Sequence, residues 1–143
     1  MSDMTKPEER ERTASCSCGA LTVTTRGEPV DVYLCSCLTC QKASGSAFSY
    51  CALFAEAAVS IAGAHTAWRH QGDVGRWIET AFCPGCGGTV YFRGEGLPGL
   101  LGISVGCFSE PDFAKPQRLY WASRRHHWLD LPADIELLST QPD

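Results

Sequence analysis

The sequence predicts a mainly β domain, built as one or two small sheets. Three observations carry that prediction. Short apolar stretches recur at close spacing, 14 glycines and 8 prolines punctuate them, and few windows hold a helical period for three turns. Leu21-Thr-Val23 alternates as a half-buried strand should. Further strands are expected over residues 30–34, 47–54, 66–70, 76–82, 89–93, 100–105 and 119–121. Single helical turns are expected at 39–43 and 56–58, where Ala, Lys, Gln and Glu gather. The charge-mixed segment 1–13 and the polar end 139–143 are expected to be mobile, leaving one domain over 14–138.

A chain of 143 residues and 15.5 kDa buries roughly 70% of its unfolded surface, so its core does not need disulfide staples. Its nine cysteines therefore call for another explanation. The opening segment lacks the apolar stretch of a secretory signal, and no run approaches a membrane span; the expectation is a cytoplasmic protein with no membrane partner. In that reducing compartment, clustered cysteines bind metal more often than they pair. The formal charge of −4 offers no excess of positive charge for phosphates. The basic pairs Arg10/Arg12 and Arg124/Arg125 form no stripe, so no nucleic-acid partner is expected.

Seven cysteines fall into three clusters, Cys16-Ser-Cys18, Cys35-Ser-Cys37-Leu-Thr-Cys40 and Cys83-Pro-Gly-Cys86. The first and third supply four thiolates, enough for one closed tetrahedral zinc site. In the third, Pro84 presets the turn, and Gly85, Gly87 and Gly88 let backbone N–H groups approach the sulfurs. Cys16, Cys18, Cys83 and Cys86 are thus expected to form a structural clamp. The middle cluster offers only three ligands from one short loop. A fourth position left open to water or a thiol is the arrangement of catalytic zinc, whereas closure by Cys51, Cys107 or a histidine would make the site structural. Cys51 and Cys107 both sit in apolar runs, where a cysteine usually behaves as a small hydrophobe.

CxCG near the start, CxCxxC followed by Gly and Ser, and FCPGCGG about 45 residues later together resemble the glutathione-dependent formaldehyde-activating enzyme family, which includes centromere protein V-like domains. Ser104-Val105-Gly106, Pro111, and Arg124 ahead of Trp128 are similar to that family's C-terminal half. The resemblance implies an Mss4-like (β-tent) fold of small antiparallel sheets with two zinc ions per chain. A structural zinc would sit on Cys16, Cys18, Cys83 and Cys86. A second, catalytic one would sit on Cys35, Cys37 and Cys40. It further implies a carbon–sulfur lyase that makes or cleaves adducts between a small thiol such as glutathione and an aldehyde. Ser36 stands where the family often has histidine, which removes one candidate proton shuttle.

Other signals carry less. A general acid or base would most naturally be a histidine, and His65, His70, His126 and His127 are available, none tied to the second cluster by spacing. Gly94-Glu-Gly96-Leu-Pro-Gly99 has dinucleotide-like spacing, but Pro98 and a strand follow where a helix is required, so it reads as a turn. The four tryptophans are expected to pack the core or edge a cleft, and Arg93, Arg124 and Arg125 could clamp carboxylates. A B-type methionine sulfoxide reductase would need CxxC in place of Cys16-Ser-Cys18 and a reactive late cysteine, for which Cys107 is a poor match. The alternative to an enzyme is a non-catalytic zinc module that binds a partner protein.

Overall fold

The computed structural model describes residues 10–72 and 75–141, and they form a mainly β protein. A three-stranded antiparallel sheet joins β1 (Glu11–Ser15), β2 (Thr22–Arg26) and β5 (Val59–Ala62) in the order β1-β2-β5. An eight-stranded sheet joins β3 (Asp31–Cys35), β4 (Ser49–Ala55), β6 (Thr66–Gln71), β7 (Trp77–Phe82), β8 (Thr89–Gly94), β9 (Leu100–Ser104), β10 (Arg118–Tyr120) and β11 (Glu136–Leu137). Their order is β11-β10-β3-β4-β9-β8-β7-β6, antiparallel except where β10 runs parallel to both β3 and β11. The one α-helix among the described residues, α1 (Leu38–Ser44), follows β3.

Each strand expected from the sequence is present, with ends displaced by a few residues. The turn expected at 56–58 is a single 3-10 turn. Strands β1, β5 and β11 were not expected. In β1 the inward positions are Arg12 and Ala14, so a charged residue stands where the pattern needs an apolar one. Arg12 is buried because its guanidinium donates to the Gly27 carbonyl and Glu28 and lies 5.3 Å over the Phe113 ring. Three partners offset a desolvation that an unpaired arginine could not bear.

Strand alternation divides the large sheet into two faces. Val32, Ala52, Phe54, Leu101 and Ile103 point to one side and pack with Ala14 and Val23 of the small sheet and with Leu21 just before β2. Phe54 is fully buried there, and truncating such a side chain to alanine costs about 3–5 kcal/mol. The residues between them on each strand, including Tyr33, Cys35, Cys51, Leu53 and Ser104, face a cleft of about 650 Å³ on the opposite side.

Residues 11–13, placed outside the domain, belong to β1; residues 1–9 lie outside the described residues. The end 139–143 is the expected mobile tail, and through residue 141 it hydrogen-bonds to Trp121 just after β10. The Trp121 N–H donates to Thr140 O at 3.2 Å, and the Trp121 indole N–H donates to Gln141 Oε1 at 2.7 Å. Among the described residues no helix is long and apolar enough to cross a membrane.

Candidate functional site

The first cysteine group is assembled by two turns far apart in the chain. Cys16 and Cys18 sit in the turn from β1 to β2, and Cys83 and Cys86 in the turn from β7 to β8. Gly19 at φ +80° and Gly87 at φ +77° follow the second cysteine of each pair, in a left-handed conformation that a side chain would strain. All four sulfurs lie within 4.8 Å of one another. Cys18 Sγ is 3.7 Å from Cys16 Sγ and 3.6 Å from Cys83 Sγ. Those spacings fit zinc: ligands about 2.3 Å from a tetrahedral ion stand about 3.8 Å from one another. The Leu21 N–H donates to Cys16 Sγ and the Gly85 N–H to Cys83 Sγ, each at 3.3 Å, the donors an anionic sulfur group requires. The Leu21 N–H pulls the Cys16 thiol below its ordinary value, and the Cys18 and Gly88 N–H groups pull Cys86 down to about 6.

The second group comes from one short segment. Cys35 ends β3, Cys37 caps α1 and Cys40 lies in its first turn, where the Cys40 N–H donates to Cys37 Sγ at 3.2 Å. Their sulfurs also lie within 4.8 Å of one another, and among the described residues no fourth His, Cys, Asp or Glu ligand atom joins the group. Three free thiols so close share protons. Hydrogen bonds from Cys35 and then Cys37 hold Cys40 down to about 4, while the same contacts push Cys35 up. Such a set suits a soft divalent ion, and both cysteine groups could hold a metal.

The walls around this group are built from several elements. Trp121 packs on Cys35 and Cys37 from a left-handed backbone at φ +57°, a conformation that costs on the order of 1–3 kcal/mol and persists only where neighbours enforce it. Gln141 holds its indole, and Arg124 lies 5.1 Å from its ring. Gln41 fixes the loop by donating to the carbonyls of Ser36 at 2.7 Å and Arg124 at 3.0 Å. Ser36 is fully buried and donates to the Ala47 carbonyl at 3.1 Å, outside the cleft lining. The residue at this position therefore tethers the loop and does not face the sulfurs.

The expected residues are distributed as follows. Cys51 lines the same cleft without joining the three sulfurs, and burial pushes its thiol up to about 11. Cys107 is half-buried beside the other group and donates to the Thr89 carbonyl. None of the four histidines approaches the three cysteines as a ligand: His65 bonds the Tyr91 hydroxyl, His70 stacks on Trp68 at the far end of the cleft, and His126 lies beside Trp128. Gly94 ends β8 and residues 95–99 form the turn after it, not the start of a helix. Sequence reasoning missed Tyr33. Its side chain shares a sheet face with Cys35, pairs across β4 with Cys51, and lines the cleft. Loss of solvent, then the Cys51, Cys40 and Cys35 sulfurs, push its hydroxyl well above the ordinary phenol value, so it remains a donor. The available signal was its i, i+2 spacing from Cys35.

A family model described as glutathione-dependent formaldehyde-activating enzyme matches residues 11–124. No curated protein matches the chain. Among solved structures, the crystal structure of a Rhodobacter sphaeroides protein is similar with a TM-score of 0.54 at 19% identity. The match covers 73% of this chain and 91% of that one, and at such identity it supports the fold alone.

Proposed function

The chain belongs to the glutathione-dependent formaldehyde-activating enzyme family, and from that membership we propose that it is a carbon–sulfur lyase acting on thiol–aldehyde adducts. The observation that carries this reading is the three-cysteine group, which turns its sulfurs to a cleft and has no fourth ligand among the described residues. Cys35, Cys37 and Cys40 would hold one zinc, and Cys16, Cys18, Cys83 and Cys86 a second. When bound at the three-cysteine group, zinc would supply a positive centre that keeps an incoming thiol as its thiolate.

In the forward direction the thiolate sulfur attacks the aldehyde carbon. A C–S bond forms, the C=O π pair moves onto oxygen, and a proton completes the hydroxyl of a hemithioacetal. The reverse step returns that proton, rebuilds C=O and expels the thiolate. Tyr33, kept as a neutral phenol on the cleft wall, is suited to hydrogen-bond the oxygen on which charge develops. Trp121 and Tyr120 bound the sulfurs and exclude water from their side of the loop. Formaldehyde and glutathione are the reactants that the family's name suggests.

The test is native mass spectrometry of freshly purified protein, counting zinc with and without glutathione. Two zincs and a glutathione adduct are expected. Two zincs without an adduct would remove glutathione as the thiol. A single zinc would favour a non-catalytic zinc module instead.

A further inference from the structure

The cleft extends far beyond the three cysteines. Strand register sets its floor in rows: Cys35 stands opposite Ser49, and Tyr33 opposite Cys51 and then Ser104. In the next row Leu53, Gly102, Phe92 and Thr80 succeed one another from β4 to β7. A further row pairs Ile78 with His70. Going from β3 to β7 crosses four strand spacings, roughly 19 Å at about 4.8 Å each. The thiol end and the far end are thus well separated within one cavity.

In glutathione the sulfur sits on the middle residue, and even the longer γ-glutamyl arm reaches only about 10 Å from it, roughly three residues of extended chain. A one-carbon aldehyde adds little to that. With the sulfur beside Cys35, such an adduct leaves the far half of the cleft empty. That half is mostly apolar: Leu53, Phe92, Trp77, Ile78 and Leu97 line it, with Thr80 and His70 as polar members. The far end of the Phe92 ring (Cε1, Cζ and Cε2) occupies the space that a Cβ at Gly102 would take, so the glycine lets the ring form part of the floor.

At the far rim the apolar wall ends on Arg76. Gly96 makes room for its guanidinium, since a Cβ at that position would stand 2.7 Å from Nη1. Among the described residues no carboxylate reaches Arg76 as an ion pair. Glu95 lines the same rim, but its Oε1 accepts the Trp77 N–H at 3.0 Å. A half-buried guanidinium at the end of an apolar channel fits a planar anion on an apolar stem.

We propose that the aldehyde part of the substrate is elongated and apolar and ends in a carboxylate. The sulfur lies at the three cysteines, the chain runs over Leu53 and Phe92, and the carboxylate meets Arg76. This inference rests on the thiol–aldehyde reading above and narrows its substrate class.

Calorimetry on the zinc-loaded chain tests it, with three stable thioethers: S-methylglutathione, S-octylglutathione and the ω-carboxy counterpart of the octyl compound. Each buried methylene is worth about fourfold in affinity, so the octyl ligand should bind at least about tenfold tighter than the methyl one. The ω-carboxylate should add about tenfold more. Arg76→Ala should bring the carboxylated and octyl ligands to near-equal affinity. Phe92→Ala should shrink the advantage of both over the methyl compound. Equal affinities for all three ligands, or a carboxylate gain that survives Arg76→Ala, would overturn the proposal. Turnover of the glutathione adducts of both formaldehyde and an eight-carbon ω-carboxy aldehyde is measured alongside. Absent turnover with the ranking intact would sink the lyase reading and leave the ligand class standing. Turnover with a flat ranking would sink the ligand class alone.

Discussion

Two groups of cysteines occupy this molecule, and they differ in what they connect. Cys16, Cys18, Cys83 and Cys86 join the turn between β1 and β2 to the turn between β7 and β8, across positions 65 apart, and so tie the small sheet to the large one. Cys35, Cys37 and Cys40 come from one strand end and the helix after it, and connect nothing distant. A cross-link between sheets constrains the whole chain, whereas a local cluster constrains one loop. The local group can therefore leave a coordination position unused without loosening the fold. The difference teaches that ligand count matters less than where the ligands originate.

The comparison breaks first at Cys83→Ala. That variant should lose one zinc and most of its cooperative unfolding transition, since apparent zinc energies of about 10–16 kcal/mol are folding energies. Thermal unfolding and metal content measured together check it; an unchanged transition would remove the clamp. Cys37→Ala is the opposite case. It should lose the other zinc and turnover altogether, with a transition shifted by only a few degrees. Full activity in that variant would end the proposed mechanism.

Smaller effects sharpen the contrast. Tyr33→Phe should keep both zincs and lower kcat about 10²-fold, the usual cost of removing one donor to a developing oxyanion, with KM little changed. A matching loss of metal would show instead that Tyr33 only supports the loop. The smallest effect is one of proton occupancy. With metal stripped, Cys40 at about 4 and Cys86 at about 6 are both depressed, so each is a thiolate above its own value and a thiol below it. Between those values Cys40 is a thiolate while Cys86 is still a thiol. Alkylation of the metal-free protein at mild acidity, read by peptide mapping, should mark Cys40 before Cys86, and the preference should fade as pH rises past 6.

Much of the fold was legible because strands announce themselves by short apolar runs set off by glycine and proline, as in β4, and by alternation, as in β2. What stayed hidden was hidden for definite reasons. In β1 a charged residue, Arg12, holds an inward position, and its burial depends on Gly27, Glu28 and Phe113 from elsewhere in the chain. The β11 strand has only two residues and exists through its pairing with β10. The tail reads as polar and free, yet Gln141 accepts the Trp121 indole N–H. Tyr33 looked like an ordinary strand aromatic until register set it opposite Cys51.

The sequence by itself determined the chemistry: seven thiols in clusters whose spacing admits a soft metal, on a chain punctuated for β structure. Ligand type and local turn geometry are short-range properties, and short-range properties are written in consecutive residues. Only the tertiary structure decided that the first and third clusters bring their sulfurs within 4.8 Å, which face of the sheet opens to the cleft, and which distant residues complete it. Those are consequences of strand order and register, fixed when a buried face must be matched across the whole sheet. Arg76 and Cys35 meet in one cavity for that reason and for nothing visible in their own segments.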